Sequence, residues 1–374
     1  MKPFNFYLPT RIRFERGGLD RYLPEIGKYG KKILLVTGRR FALESGLVER
    51  IMKILAGAGL TCSHFFDVDP EPTVENVEAG AAFCRKEGCD AVLAVGGGSA
   101  MDAAKGMAVL AVNDGSLRDY FGEVSFRHEP LPVVAVPTTC GTGSEITRYA
   151  VIVERRERTK KTVSNELLIP KLAVMDADLL DTLPERLVAA TGMDAFSHAL
   201  EGFLANKAND MTRFFSLESM RILHAFLPRV GDVSDRKETR ERIFFASLVG
   251  GFVINHTGTI LIHGMGYSLT IKHAVHHGTA NGLLLPYVVS YLKEHGYGAE
   301  IGMMEKAVLG EEPENLFSLV ERAGLPTRLS ALGIREEELD ELTDLAMIGC
   351  QRSYRNMKKP LARDEVRAIL RQAL

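Results

Sequence analysis

An α/β amino-terminal domain on a doubly wound, mostly parallel sheet, followed by an all-α carboxyl-terminal domain, follows from three features of the sequence. The chain has 374 residues, more than one core ordinarily organises, so two domains are expected. Its first half alternates short β-branched runs with helical stretches, the pattern of a parallel sheet with crossover helices. From Pro184 onward helical patterns replace them and no strand alternation is found. The domains are therefore drawn as residues 1–183 and 184–374.

The strands of the first domain read directly. Lys31–Thr37 is a buried run ending at Gly38, and a helical stretch spans about Glu44 to Ala58. Thr61–Asp67 reads as the next strand, broken by Asp69-Pro-Glu-Pro72. Thr73 caps a helix running to about Glu87, with Glu75 and Glu78 in its early turns. Ala91–Val95 and Leu131–Val136 are two more buried strands. In the second half the helical patterns are Ala189–Leu204, Phe214–Leu227, Arg242–Ile254 and Asn315–Ala323.

Composition narrows the function. A hydrophobic share of 46%, a charged share of 25% and a net charge of −2 describe an ordinary globular protein, with no electrostatic case for nucleic acid or an anionic membrane. No apolar run approaches the roughly 20 residues of a membrane span, and the first residues lack the apolar stretch of a secretory signal. The five cysteines form no Cys-x-x-Cys pair and read as reduced thiols, so a cytoplasmic location is expected. The charged tract Glu154–Lys161, of mixed sign, reads as a solvated turn.

Two loops carry candidate chemistry. Gly96-Gly-Gly-Ser99 follows the strand 91–95. Its glycines allow a sharp turn and close ligand approach, Ser99 is placed to cap the next helix, and Asp102 to close a capping box. Exposed amides at such a helix start bind anions, and a pyrophosphate fits there, although a plain strand-to-helix turn explains the glycines equally well. The segment is not the Gly-x-Gly-x-x-Gly fingerprint. Pro137-Thr-Thr-Cys-Gly-Thr-Gly-Ser-Glu145 follows the strand 131–136 with four hydroxyls. Both loops belong at the carboxyl ends of strands, where open α/β sheets bind ligands, which favours a Rossmann-like nucleotide cleft.

The second domain carries a candidate metal constellation. Asp194 and His198 are four residues apart, so both side chains leave one helix face, as ligands or as an ordinary surface pair. His263 lies in the apolar stretch Ile260-Leu-Ile-His-Gly-Met, where its ring needs either a core hydrogen bond or a metal. His263-Gly and His277-Gly each suggest a tight backbone bend beside an imidazole. One carboxylate with three imidazoles suits Fe(II) or Zn(II), with no thiolate to choose between them.

Taken in order, these segments resemble the iron-containing (group III) alcohol dehydrogenase family over nearly the whole chain. The match runs through Phe6-Tyr-Leu-Pro-Thr-Arg-Ile-Arg-Phe14, Gly96-Gly-Gly-Ser…Asp102…Lys105, Pro137–Glu145, Asp176-Ala-Asp-Leu-Leu180, Gly192-Met-Asp-Ala…His198-Ala…Glu201-Gly and His263-Gly…His277-Gly. The resemblance implies a dehydroquinate synthase-like architecture, and a metal held by Asp194, His198, His263 and His277. It implies that Gly97, Gly98 and Ser99 contact the pyrophosphate of a nicotinamide cofactor. It places Thr138, Thr139, Thr142, Thr147, Val151, Lys160 and Leu179 around the rest of that cofactor, and it suggests a homodimer or larger homo-oligomer.

Two positions depart from the family's common pattern. Thr37-Gly38-Arg39-Arg40 lacks the acidic residue many NAD-using members carry after this strand. Nothing there repels a 2′-phosphate and two guanidiniums can grip it, which favours NADP(H) over NAD(H). Tyr267 stands where many relatives have another histidine. The expected reaction is hydride transfer between a small primary alcohol or diol, or its aldehyde, and NAD(P), in a cleft between the domains, with His273 and His276 as proton-relay candidates by proximity alone. The alternatives are a sugar-phosphate cyclase-type lyase, which uses NAD and a divalent metal without net NADH production, and a non-catalytic metal- or nucleotide-binding protein.

Overall fold

The computed structural model describes residues 3–39, 44–310 and 315–374. Two compact units emerge. One comprises Tyr7–Thr139 with Ser144–Leu180; the other comprises Asp181–Leu374, Cys140–Gly143 and the first residues up to Phe6.

Among the described residues the first unit contains nine strands: β1 (Arg11–Phe14), β2 (Lys32–Gly38), β3 (Thr61–Val68), β4 (Ala91–Gly96), β5 (Gly122–Glu123), β6 (Val133–Pro137), β7 (Tyr149–Glu154), β8 (Thr159–Ser164) and β9 (Leu172–Met175). Six form one sheet in the order β1-β9-β6-β4-β2-β3, with every pairing parallel. Its longer helices are α1 (Leu47–Gly57), α2 (Val74–Glu87) and α3 (Gly98–Leu110). Alternate side chains serve opposite faces. Leu34, Val36, Val92 and Ala94 pack with α2 and α3 residues such as Val77 and Met107. Ile33, Leu35, Leu93 and Val95 pack with Ile51 and Leu55 of α1. Both faces are covered, which is why these strands read as unbroken apolar runs.

The strand order creates a crevice. β2 leads to its neighbour β3 on one side, while β4 leads to its neighbour β6 on the other. The segments leaving the carboxyl ends of β2 and β4 therefore diverge, at the kind of switch point where such sheets bind ligands. α2 starts as expected: Thr73 Oγ1 accepts from Asn76 N at 3.2 Å and Asn76 Oδ1 from Thr73 N at 3.1 Å. The tract Glu154–Lys161 is less exposed than its charges suggest. Only Arg155–Arg158 turns in solvent, and the flanking β7 and β8 pair antiparallel in a separate three-stranded sheet.

The second unit is helical: α4 (Glu185–Leu204), α5 (Asp210–Phe226), α6 (Arg236–Thr257), α7 (Ile262–His273), α8 (His277–Leu292), α9 (Gly298–Val308), α10 (Leu316–Arg322), α11 (Leu339–Cys350) and α12 (Arg363–Gln372). Helix α4 is buried continuously from Val188 to Leu204, with α5, α6 and α8 around it. A helix buried on all sides is normally apolar. Asp194, His198 and Glu201 break that rule, and each needs a polar partner inside. Among the described residues no single helix is long and apolar enough to cross a membrane.

Candidate metal centre and nucleotide loops

Asp194 of α4, His263 in the first turn of α7 and His277 at the start of α8 bring one ligand atom each within 4.8 Å of one another. His263 Nε2 stands 3.4 Å from Asp194 Oδ1, and His277 Nε2 3.7 Å from the same oxygen. His198 stands beside this trio. Its ring stacks on His263 with centroids 4.4 Å apart, and its Nδ1 pairs with the Gly141 carbonyl at 3.2 Å. A donated Nδ1–H fixes the tautomer and leaves Nε2 with the free lone pair.

Two further residues hold the trio. Glu201 Oε2 hydrogen-bonds His263 Nδ1, while its Oε1 accepts from Ile262 N at 2.6 Å. Asn281 Nδ2 donates to Asp194 Oδ1 at 2.8 Å and to His277 Nε2 at 3.1 Å. Neither residue was singled out from the sequence for a role, yet the spacing carried the signal. Asp194, His198 and Glu201 are i, i+4 and i+7 on one face, and His277 and Asn281 are i and i+4.

Burial and charge oppose one another here. Burial would raise the Asp194 carboxyl, but His198, His277 and His263 hold it well below its usual range. Burial lowers the His263 imidazole, yet Glu201 and Asp194 outweigh it and push the ring up to about 9. His198, lowered first by burial and then by His263, falls to about 4 despite Asp194.

The His-Gly steps are not tight bends. Gly264 and Gly278 lie within the first turns of α7 and α8. A Cβ on Gly264 would sit 2.5 Å from Cys350 Sγ, and one on Gly278 would collide with the Ala190 carbonyl and stand 3.3 Å from Asp194 Cβ. The glycines let helices close on one another beside the imidazoles. The relay candidates fare differently. His273 lies ten residues beyond His263 on α7, about 15 Å along the axis, where it pairs with Glu338 at 3.2 Å. His276 is exposed at the N-cap of α8. Tyr267 stacks on His277, centroids 5.1 Å apart.

At the sheet, Gly97 and not Ser99 occupies the N-cap of α3, with no side chain capping it. Ser99 Oγ instead donates to the Pro70 carbonyl, and Asp102 accepts from Ser144 Oγ at 2.6 Å and Val151 N at 3.0 Å. The first turn thus keeps its amides uncapped by its own side chains, with Gly98 beginning the helix. A Cβ on Gly97 would press on Thr139 Oγ1 at 3.1 Å, and Thr138 N bonds Gly96 O at 2.9 Å, so the two loops interlock. Lys105, fully buried, donates to Ser144 Oγ at 2.8 Å and to the Thr147 and Tyr149 carbonyls at 2.9 and 2.8 Å. Burial lowers its ammonium to about 8. Thr142 lies in the Cys140–Gly143 segment of the helical unit, where Gly141 abuts Thr191. Lys160 Nζ pairs with Glu71 at 2.6 Å with its side chain 5% exposed, and Leu179 packs into the α1-side core.

One premise from the sequence fails. Carboxylates do stand at the end of β2, because parallel pairing sets Gly38 level with Val68 of β3. Arg39 Nη2 meets Asp67 Oδ1 at 2.7 Å and Asp69 Oδ1 at 3.3 Å. Arg40 lies outside the described residues.

Comparison with known proteins converges on one family. The family described as iron-containing alcohol dehydrogenase matches residues 9–177, and its C-terminal counterpart matches residues 188–374. The chain is 32% identical to alcohol dehydrogenase 4 of Schizosaccharomyces pombe, covering 99% of this chain and 89% of that one. It is 30% identical to the NAD-dependent methanol dehydrogenase of Bacillus methanolicus, covering 90% and 92%. Its fold superposes on the crystal structure of a 1,3-propanediol oxidoreductase with a TM-score of 0.91 at 29% identity, covering all of both chains. With matches spanning both units and the parallel sheet and helical region in place, the chain belongs to the iron-containing alcohol dehydrogenase family and is an alcohol–aldehyde oxidoreductase.

Proposed function

We propose that Asp194, His198, His263 and His277 hold one divalent metal, Fe(II) or Zn(II), for hydride exchange between a small primary alcohol or diol, or its aldehyde, and NAD(P). The observation that carries this is the convergence of Asp194, His263 and His277 within 4.8 Å inside the helical unit. The residues fit a cation. His263 Nε2 is buried without a hydrogen-bond partner, aimed past a carboxylate oxygen 3.4 Å away, and a metal bond satisfies both. Two or three imidazoles with one carboxylate match the nitrogen and oxygen preference of both metals.

A bound metal supplies Lewis-acid polarisation of the substrate oxygen, and the nicotinamide supplies the hydride acceptor. The chain's share is positioning. Glu201 holds the His263 Nδ1–H and thereby aims Nε2, the carboxylate–histidine arrangement that strengthens metal-binding imidazoles. Asn281 holds Asp194 and His277 in register, and the Gly141 carbonyl does the same for His198. Buried helix faces keep water from Asp194, His198 and His263, while the His277 side chain is 19% exposed.

For the cofactor, the uncapped start of α3 at Gly97–Ser99 supports a pyrophosphate site, with Thr138, Thr139, Thr142, Thr147, Val151, Lys160 and Leu179 proposed around the remainder. NADP(H) is proposed as the favoured form, supported by Arg39 at the end of β2. Asp67 and Asp69 both meet its Nη2, so they orient the guanidinium and also repel a phosphate. The expected preference is accordingly small, about tenfold or less. Arg39→Asp is expected to shift the ratio of kcat/KM for NADP to that for NAD toward NAD, and Asp67→Asn to shift it toward NADP. An unchanged ratio in both variants overturns the assignment.

The proposal is tested by anaerobic purification, metal analysis and assays with short alcohols, diols and aldehydes. Net NAD(P)H accumulation with a simple alcohol is expected, whereas a cyclase recycles its cofactor. Glu201→Gln keeps an acceptor for Ile262 N but removes the charge behind His263. It should weaken metal binding by about 10- to 100-fold, read by titration against a competing chelator. Parent-like affinity would remove Glu201 from the metal's support.

A further inference from the structure

Helix α2 ends in a paired turn whose two ends are both cysteine. Gly88 adopts the left-handed conformation with φ +66°, Gly88 N bonds Arg85 O at 3.1 Å and Cys89 N bonds Cys84 O at 3.1 Å. In this Schellman arrangement the residues joined by the outer bond bring their side chains into contact. A single hydrogen bond between their backbones sets the two Cα atoms about 5–6 Å apart, within the span of a disulfide.

The surroundings differ at the two sulfurs. Cys84 is fully buried in the core beneath α2 and α3, while Cys89 is half-buried against the edge of that core. Cys84 draws the Cys89 thiol below its usual range, against burial and the nearby Glu87 and Asp90. Cys89 and burial together push the Cys84 thiol up. The more exposed sulfur is thus the better first nucleophile, and the turn holds the buried one beside it, where proximity lets it resolve an adduct.

We propose that Cys84 and Cys89 form a reversible disulfide across the last turn of α2, with a low-molecular-weight disulfide as the oxidant. The Cys89 thiolate attacks one sulfur of the oxidant, forming a mixed disulfide and expelling the first thiolate. Cys84 then attacks the Cys89 sulfur, its proton passes to the departing small thiolate, and that group leaves as the second thiol. Two protein thiols are oxidised and one small disulfide is reduced to two thiols. The turn lies at the amino end of β4, whereas Gly96 lies at its carboxyl end, about 17 Å away, so the readout is chemical and not catalytic.

The test uses the full-length, metal-loaded protein incubated with oxidised glutathione, then alkylated under denaturing conditions and digested with trypsin and a glutamate-specific protease. Arg85 and Lys86 separate Cys84 from Cys89, and Glu75 and Glu78 separate Cys62 from Cys84, so the bond appears in the mass spectrum as a cross-linked peptide pair that identifies its cysteines and that dithiothreitol releases. In Cys84→Ala, the glutathione adduct on Cys89 should rise from a trace to nearly full occupancy because nothing resolves it. In Cys89→Ser, Cys84 should remain reduced. The proposal is overturned if the cross-link joins Cys62 to Cys89, if the parent retains the adduct on Cys89 with Cys84 reduced, or if neither thiol is oxidised.

Discussion

Replacing His263 with alanine is expected to abolish the oxidoreductase activity and to weaken metal binding by at least about 100-fold, more than the loss of a supporting side chain causes. His263 is the member of the cluster whose Nδ1 is held by Glu201 while its Nε2, 3.4 Å from Asp194 Oδ1, is left without a hydrogen-bond partner. Truncation also strips Glu201 Oε2 of its partner inside a helix that is buried all round, and an abandoned buried charge costs about 3–5 kcal/mol. The alanine variant alone would therefore confuse lost chemistry with lost folding. His263→Gln separates them, since an amide can still donate to Glu201 but makes a poor ligand. Thermal unfolding with and without Fe(II) or Zn(II) gives the discriminating readout. Metal at about 100 times its Kd should stabilise the parent by about 2.7 kcal/mol and leave the glutamine variant's Tm unmoved. If the glutamine variant folds, retains a full equivalent of metal and turns over at the parent's rate, the proposed centre is wrong.

The features read correctly from sequence share a cause. β2 and β4 are buried on both faces, so their interiors are almost wholly apolar, and their runs were legible to within about a residue. The cap at Thr73 was legible because its partners lie within one turn. What failed depended on neighbours distant in the chain. Arg39 meets Asp67 and Asp69 only because β3 lies beside β2 in a register no local pattern specifies. The β7–β8 hairpin was hidden because Glu154 pairs with Arg118 and Lys160 with Glu71, so charged residues sit in a sheet where a solvated tract was expected. Ser99 has the composition of a cap, but Gly97, two residues earlier, takes the cap position and the hydroxyl turns to Pro70. For the candidate metal centre, helical spacing marked Asp194 and His198 and an apolar setting marked His263, while the choice of His277 came with the family resemblance. Glu201 shares the helical spacing of Asp194 and His198, but its role was hidden because a glutamate on a predicted helix is ordinarily solvated, and only the burial of α4 makes it exceptional.

The same burial makes Gly278→Ala a severe test of how packing sets the centre's geometry. The added methyl would strike the Ala190 carbonyl and crowd Asp194 Cβ at 3.3 Å, both on α4. Backbone cannot swing aside as a long side chain does, so α8 must shift away from α4. Overpacking of this kind costs about 1–3 kcal/mol, but the larger consequence is geometric. His277 precedes Gly278, and Asn281 follows one turn later, so the displacement carries both away from Asp194 Oδ1. Metal affinity is expected to fall by about 10-fold or more, since ligand placement tolerates little error, and kcat should fall with it even at saturating metal. Gly57→Ala supplies the control. Gly57 closes α1 with nothing within 4 Å of an added Cβ, so alanine there should raise stability by about 0.5–1 kcal/mol and leave metal binding alone. Should Gly278→Ala match the parent in Tm and in metal affinity, α4 and α8 are not in the close contact that brings His277 to Asp194.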